Sequence, residues 1–115
     1  MIDIYREKRP WGSFERFTKE TPSTVKLITI KKGESLSLQY HHNRQEFWHV
    51  VQGSPAVTIG DKEVSGKVGD EFFVEKEAKH QISAPIDEVV FLEIALGAFD
   101  ENDIVRLRDK YGRAS

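Results

Sequence analysis

Short strand-length runs separated by turn residues dominate this chain, and they leave little room for anything but an antiparallel β architecture. Val25 to Ile30 is followed by Lys31-Lys32-Gly33, and Leu36 to Tyr40 by the polar stretch from His42 to Gln45. Phe47 to Val51 ends at Gln52-Gly53-Ser54-Pro55, and Ala56 to Ile59 turns at Gly60-Asp61-Lys62. Further runs cover Glu71 to Val74, His80 to Ser83 and Val89 to Ala95. Strands this short, punctuated by Gly, Pro, Asn and Asp, predict an all-β sandwich or barrel. No repeat, low-complexity tract or linker interrupts the pattern, so residues 1–115 read as one domain.

Strand parity assigns the faces. Ser37, Gln39 and His41 share one face of their strand, while Leu36, Leu38 and Tyr40 take the other. Glu46 heads the next run, which reads as the returning strand of a hairpin; Trp48 and Val50 share its face, and Phe47, His49 and Val51 oppose it. Both faces are therefore rich in apolar side chains. A barrel this small packs only one interior, so the second face needs cover, either from an N-terminal flap or from a second copy in a homodimer. The homodimer is the expected assembly.

Gln39, His41 and Glu46, joined by His80 from a later strand, make a candidate metal set of one amide oxygen, two imidazoles and one carboxylate. Each residue alone is as well explained by ordinary hydrogen bonding, and the residues by themselves leave both readings open. With no cysteine in the chain, thiolate ligands and disulfides are excluded, and any site must use His and oxygen donors. A formal net charge of −2 gives no general attraction to nucleic acid or to an anionic membrane. No run reaches the roughly 18 apolar residues of a membrane span. The opening MIDIYREKRP lacks the apolar core of a signal peptide, so the cytoplasm is the expected location.

The spacing from Gly33 through Gln39, His41 and Glu46 to Gly53 resembles the first cupin motif, with Gln39 at the position where most cupins carry a His. Gly69 and His80 match the second motif in spacing, with Glu75, Glu77 and Ala84 in place of its Pro, Gly and Asn. Over nearly the whole chain, Arg9-Pro10-Trp11-Gly12, Leu36-Ser37-Leu38-Gln39, Asp103-Ile104-Val105-Arg106 and Tyr111-Gly112-Arg113 resemble type II mannose-6-phosphate isomerase. In that family this unit usually follows a mannose-1-phosphate guanylyltransferase. The resemblance implies a cupin jelly roll holding a divalent metal on Gln39, His41, Glu46 and His80. Zinc is the first choice of ion, ahead of manganese, cobalt, nickel or iron. It also implies interconversion of mannose 6-phosphate and fructose 6-phosphate. The alternatives are a metal-containing module that binds sugar phosphate without turnover, and an iron oxygenase, which the amide of Gln39 disfavours.

Among the other polar residues, Ser37 is a candidate substrate contact from the face of the metal set, and Arg113 a candidate phosphate contact. His42 should be exposed, His49 should pack on the outer surface, and Trp48 should wall the interior. No general base is identified. A short helix is expected near the end, capped by Asp100 and Asp103, carrying Ile104, Val105 and Leu107 on one side and stopped by Gly112.

Overall fold

A computed structural model describes residues 2–97 and 100–108. The chain runs β1 (Tyr5–Arg9), β2 (Gly12–Arg16), β3 (Ser23–Ile30), β4 (Leu38–Tyr40), β5 (Arg44–Gln52), β6 (Ala56–Ile59), β7 (Lys62–Ser65), β8 (Glu71–Val74), β9 (His80–Ser83), β10 (Val89–Gly97) and β11 (Val105–Arg108). All pairings are antiparallel. The strands form a four-stranded sheet, β3-β10-β5-β8, a five-stranded sheet, β11-β4-β9-β6-β7, and the hairpin β1-β2.

Two expectations need correction. β4 and β5 do not form a hairpin: β4 lies between β11 and β9 in one sheet, and β5 between β10 and β8 in the other. The three-residue link 41–43 therefore crosses between the sheets, and this brings side chains of both sheets to one end of the barrel. The terminal helix is also absent where the structure describes it, because Val105–Arg108 is a strand paired with Leu38–Tyr40. Pairing with the open edge of β4 satisfies this backbone and outweighs a weak local helix preference. The remainder of the predicted helix, 109–112, lies outside the described residues. No helix among the described residues is long and apolar enough to cross a membrane.

The interior has an apolar end and a polar end. Ile30, Trp48, Val57, Val74, Ile82, Ala84, Val89 and Phe91 form one buried cluster between the sheets. Burying each large side chain of this kind contributes roughly 1.5–3 kcal/mol, so this end supplies the stability on which a polar end can be carried. Gly53, closing the first motif, has φ 89° and leaves no space for a Cβ, which would sit 2.2 Å from the Glu88 carbonyl oxygen. The outer face of β5 finds its cover within the chain: Phe17 stacks on Phe47 with ring centroids 5.6 Å apart and on His49 at 5.8 Å. The N-terminal flap thus supplies this cover.

Candidate metal centre

His41, Glu46 and His80 come together at the polar end, each offering a ligand atom within 4.8 Å of the others, and all three are buried. Glu46 comes from β5, His80 opens β9, and His41 follows β4 directly. Gln39 pairs with His80 across β4 and β9, which sets its side chain beside them on the inner face.

Both imidazoles are oriented from behind. His80 Nδ1 donates to the Ala78 carbonyl at 2.9 Å, and His41 Nδ1 to the Asp103 carbonyl at 2.5 Å. Each ring therefore turns its Nε2 lone pair inward, toward Glu46, at 3.9 Å from His80 and 3.2 Å from His41. Histidines that bind metals are held in this way, with the outer nitrogen fixed by a carbonyl or carboxylate. His80 Nε2 is buried and has no hydrogen-bond partner, so the fold leaves a desolvated lone pair aimed at the centre. Burial pushes the His80 pKa down against the opposing pull of Glu46, which keeps that lone pair available at neutral pH.

Burial works against ionisation of Glu46, but His41, His80 and the Trp48 N–H outweigh it and hold the pKa at about 2. Trp48 Nε1 donates to one Glu46 oxygen at 2.9 Å, and the tryptophan walls the interior as expected. Two imidazoles with one carboxylate suit a divalent first-row ion, so this donor set fits a metal.

Gln39 as placed presents its NH₂ to the centre. Nε2 lies 3.3 Å from His41 Nε2, and Oε1 accepts from Ser37 Oγ at 2.5 Å. Rotating the amide by half a turn would offer Oε1 inward while Ser37 Oγ accepted from the nitrogen instead, since a hydroxyl can play either part. Ser37 is buried and reaches the site through Gln39.

Two residues of the site escaped the sequence reading. Arg44, buried on β5, donates to Glu46 Oε2 through Nε at 3.0 Å and to His41 Nε2 through Nη2 at 3.1 Å. In the sequence it falls in the polar stretch before the apolar run, although it shares strand parity with Glu46. Glu93, on β10, is also buried, and burial together with the Glu46 carboxylate raises its pKa to about 7. The alternation of Val89, Phe91, Glu93 and Ala95 carried that signal. A cavity of about 190 Å³ beside the centre is lined by Ser37, Gln39, Arg44 and Glu93, together with Lys26 and Arg106.

Asp103, expected in a helix cap, instead ties the crossing segment. Its carboxylate accepts the backbone N–H groups of His42 and Asn43, both at 2.9 Å, and those bonds lower its pKa. His42 is exposed, and His49 packs on the outer face against Glu71 at 2.8 Å, both as expected. Arg113 lies outside the described residues. The loop before His80 keeps a glycine-like shape without the glycine: Glu77 has φ 65° and donates its N–H to the His41 carbonyl at 2.7 Å.

A family model described as mannose-6-phosphate isomerase C-terminal matches residues 3–109. Mannose-1-phosphate guanylyltransferase of Escherichia coli K12 is 38% identical over 117 residues, covering 96% of this chain and 24% of that protein. The chain spans about a quarter of the length of the curated relatives it matches. A cupin protein from Bacteroides fragilis superposes with a TM-score of 0.62 at 24% identity over 68% of each chain. NovW, a 4-keto-6-deoxy sugar epimerase of Streptomyces spheroides, does so with 0.68 at 12% identity, over 90% of this chain and 65% of that one. The antiparallel barrel described above is the cupin fold.

Proposed function

The chain belongs to the family of mannose-6-phosphate isomerase C-terminal domains, and from that premise we propose that it is a metal-dependent aldose–ketose isomerase interconverting mannose 6-phosphate and fructose 6-phosphate. The observation that carries this reading is the pair of imidazoles with outer nitrogens tied to backbone carbonyls and inner lone pairs turned on Glu46. A divalent ion held by His41, Glu46 and His80, with Gln39 as a fourth donor after rotation of its amide, would supply Lewis-acid polarisation of a sugar carbonyl. Zinc suits these donors, and manganese, cobalt, nickel and iron are alternatives.

Isomerisation also needs a group that takes a proton from C2 of the aldose and returns it to C1. Glu93 is the candidate: it lines the cavity, and in the metal-free protein burial and the Glu46 carboxylate raise its pKa to about 7, as suits a carboxyl that both accepts and gives a proton. Ser37 holds Gln39 and lines the same cavity, so its hydroxyl is within reach of a sugar. Arg44 competes with the ion for lone pairs of Glu46 and His41, so metal loading requires it to give up those bonds.

That competition also favours a second reading, a sugar-phosphate-binding module without turnover, in which the guanidinium alone balances the buried carboxylate. Metal-stripped protein, reloaded with one equivalent of each ion and assayed for fructose 6-phosphate, decides between them. Turnover that appears with an ion and vanishes on chelation supports the isomerase; sugar-phosphate binding by metal-free protein, with no turnover under any ion, supports the module.

A homodimer through β3 belongs to the same proposal. Val25 and Leu27 stand outward, 58% and 66% exposed, on the edge strand of the four-stranded sheet. Light scattering should return twice the chain mass at micromolar concentration; a monomer there would refute it.

A further inference from the structure

Arg106 combines placement beside the candidate centre with an unsatisfied donor. It stands opposite Gln39 in the β11–β4 register, so the two side chains share the inner face of the five-stranded sheet. Its Nε is buried and has no hydrogen-bond partner among the described residues. A guanidinium is always charged, and a desolvated donor on it costs more than a neutral one left unpaired. Lys26 approaches the same cavity from the other sheet, where it pairs with Glu93 across β3 and β10 and bonds Glu101 at 3.2 Å.

We propose that Arg106, assisted by Lys26, is the subsite for the phosphate group of the substrate in this cavity. This rests on the sugar-phosphate reading above and supplies the anion contact that reading lacks among the described residues. A phosphate monoester carries about −1.5 to −2 charge at neutral pH and three acceptor oxygens, which the planar guanidinium fork matches in pairs. The spacing also suits the ligand. His80, Gln39 and Arg106 are successive neighbours across β9, β4 and β11. Adjacent strands lie about 4.8 Å apart, so Arg106 sits about 10 Å of sheet away from His80. An open-chain hexose 6-phosphate has a comparable separation between its carbonyl end and its phosphorus. With the carbonyl end at the histidines, the phosphate falls at Arg106. The Lys26–Glu101 pair is exposed enough to exchange its partner for a phosphate at little cost.

The test is binding, so it does not depend on turnover. Calorimetric titrations of the whole chain with mannose 6-phosphate, with inorganic phosphate and with mannose compare wild type, Arg106→Gln, Arg106→Lys, Lys26→Met and Arg113→Gln, each checked for folding by circular dichroism and thermal melting. Arg106→Gln should weaken mannose 6-phosphate and phosphate binding 10- to 100-fold and leave mannose binding unchanged. Arg106→Lys should recover part of the loss, because a point charge replaces the fork, and Lys26→Met should weaken phosphate binding by less than Arg106→Gln. Loss of phosphate binding in a protein that shows no isomerisation would still support the subsite. Unchanged phosphate affinity in folded Arg106→Gln, loss confined to Arg113→Gln, or a wild type that does not distinguish mannose 6-phosphate from mannose would each overturn it.

Discussion

The molecule holds two groups of histidine with carboxylate, and they are built for different ends. His41, Glu46 and His80 are buried inside the barrel, while exposed Glu15 on β2 meets half-buried His49 and Glu71 on the outer face of the sheet. In the outer group the polar atoms are consumed by one another. His49 Nδ1 binds Glu71 at 2.8 Å, and Arg6 bridges Glu15 at 2.6 Å and Glu71 at 3.1 Å, joining the hairpin to the sheet. In the inner group the outer nitrogens go to backbone carbonyls, which leaves the inward lone pairs for a guest or for Arg44. Residue type alone does not separate the two groups. What separates them is burial and the direction in which each imidazole spends its N–H.

Breaking each group should therefore have unequal consequences. Arg44→Met leaves the Glu46 carboxylate buried without its guanidinium, and in metal-free protein this should cost about 3–5 kcal/mol in denaturant unfolding. Adding zinc should restore part of that loss, since the ion takes over the charge balance. Arg6→Met, which breaks the exposed pairs, should leave the unfolding midpoint nearly unchanged. Equal losses at the two sites would remove the distinction.

Function should divide along the same line. His80→Ala and Glu46→Gln should each lower metal-dependent turnover by on the order of 100-fold or more and reduce the ion bound at equilibrium. His49→Ala should leave bound metal and turnover within about two-fold of wild type, because its imidazole is committed to Glu71. Metal analysis with steady-state kinetics checks both.

The inner carboxylates also predict a pH signature. Glu93 has its folded pKa raised from 4.5 to about 7, so the stability linked to its protonated form is fully present below about pH 4.5 and lost as pH rises through 7. The shift corresponds to a loss of stability on the order of 3 kcal/mol across that range. Glu93→Gln should flatten that stretch of the stability curve in metal-free protein and should lower kcat more than it raises KM. Glu46, held at about 2, behaves in the opposite sense: its contribution is present above about pH 4.5 and disappears as pH falls toward 2. Stability of Glu93→Gln that tracks wild type from pH 4.5 to 7 would contradict this assignment.

These contrasts also explain what could be read in the sequence. β3, β6, β8, β9 and β10 carry apolar alternation or runs and were placed within a residue or two of their ends. β1, β2 and β7 were missed because their residues are mostly exposed and charged, which leaves no buried face to impose a period on YREKR, GSFER or KEVS. β11 reads as helix in the sequence because Asp100, Asp103 and the basic residues after them satisfy local helix rules, while the edge of β4 that captures Val105–Arg108 is distant in sequence. Parity brought Ser37, Gln39 and His41 to one face. The same parity puts Arg44 beside Glu46 and Glu93 inside the barrel, but the polar stretch 42–45 hides the start of β5, and a lone carboxylate in an apolar strand gives no local sign of a site.

The smallest effect concerns the loop that delivers His80. Glu77 stands where the second cupin motif has glycine and adopts φ 65°. Left-handed backbone costs a non-glycine residue about 1–2 kcal/mol, and glycine in turn loses about 0.5–1 kcal/mol of entropy on folding. Glu77→Gly should therefore leave the melting temperature unchanged or raise it by a few degrees. A clear fall would mean that the Glu77 side chain, 3.5 Å from His42, matters more than its backbone.

The contrast between the two groups can be observed directly by long-range ¹H–¹⁵N correlation of the imidazoles during a zinc titration. One equivalent of zinc should move the Nε2 resonances of His41 and His80 together and leave His49 where it was. A shift at His49 before either inner histidine, or saturation with both inner Nε2 resonances unmoved, would contradict the assignment of the buried group as the metal centre.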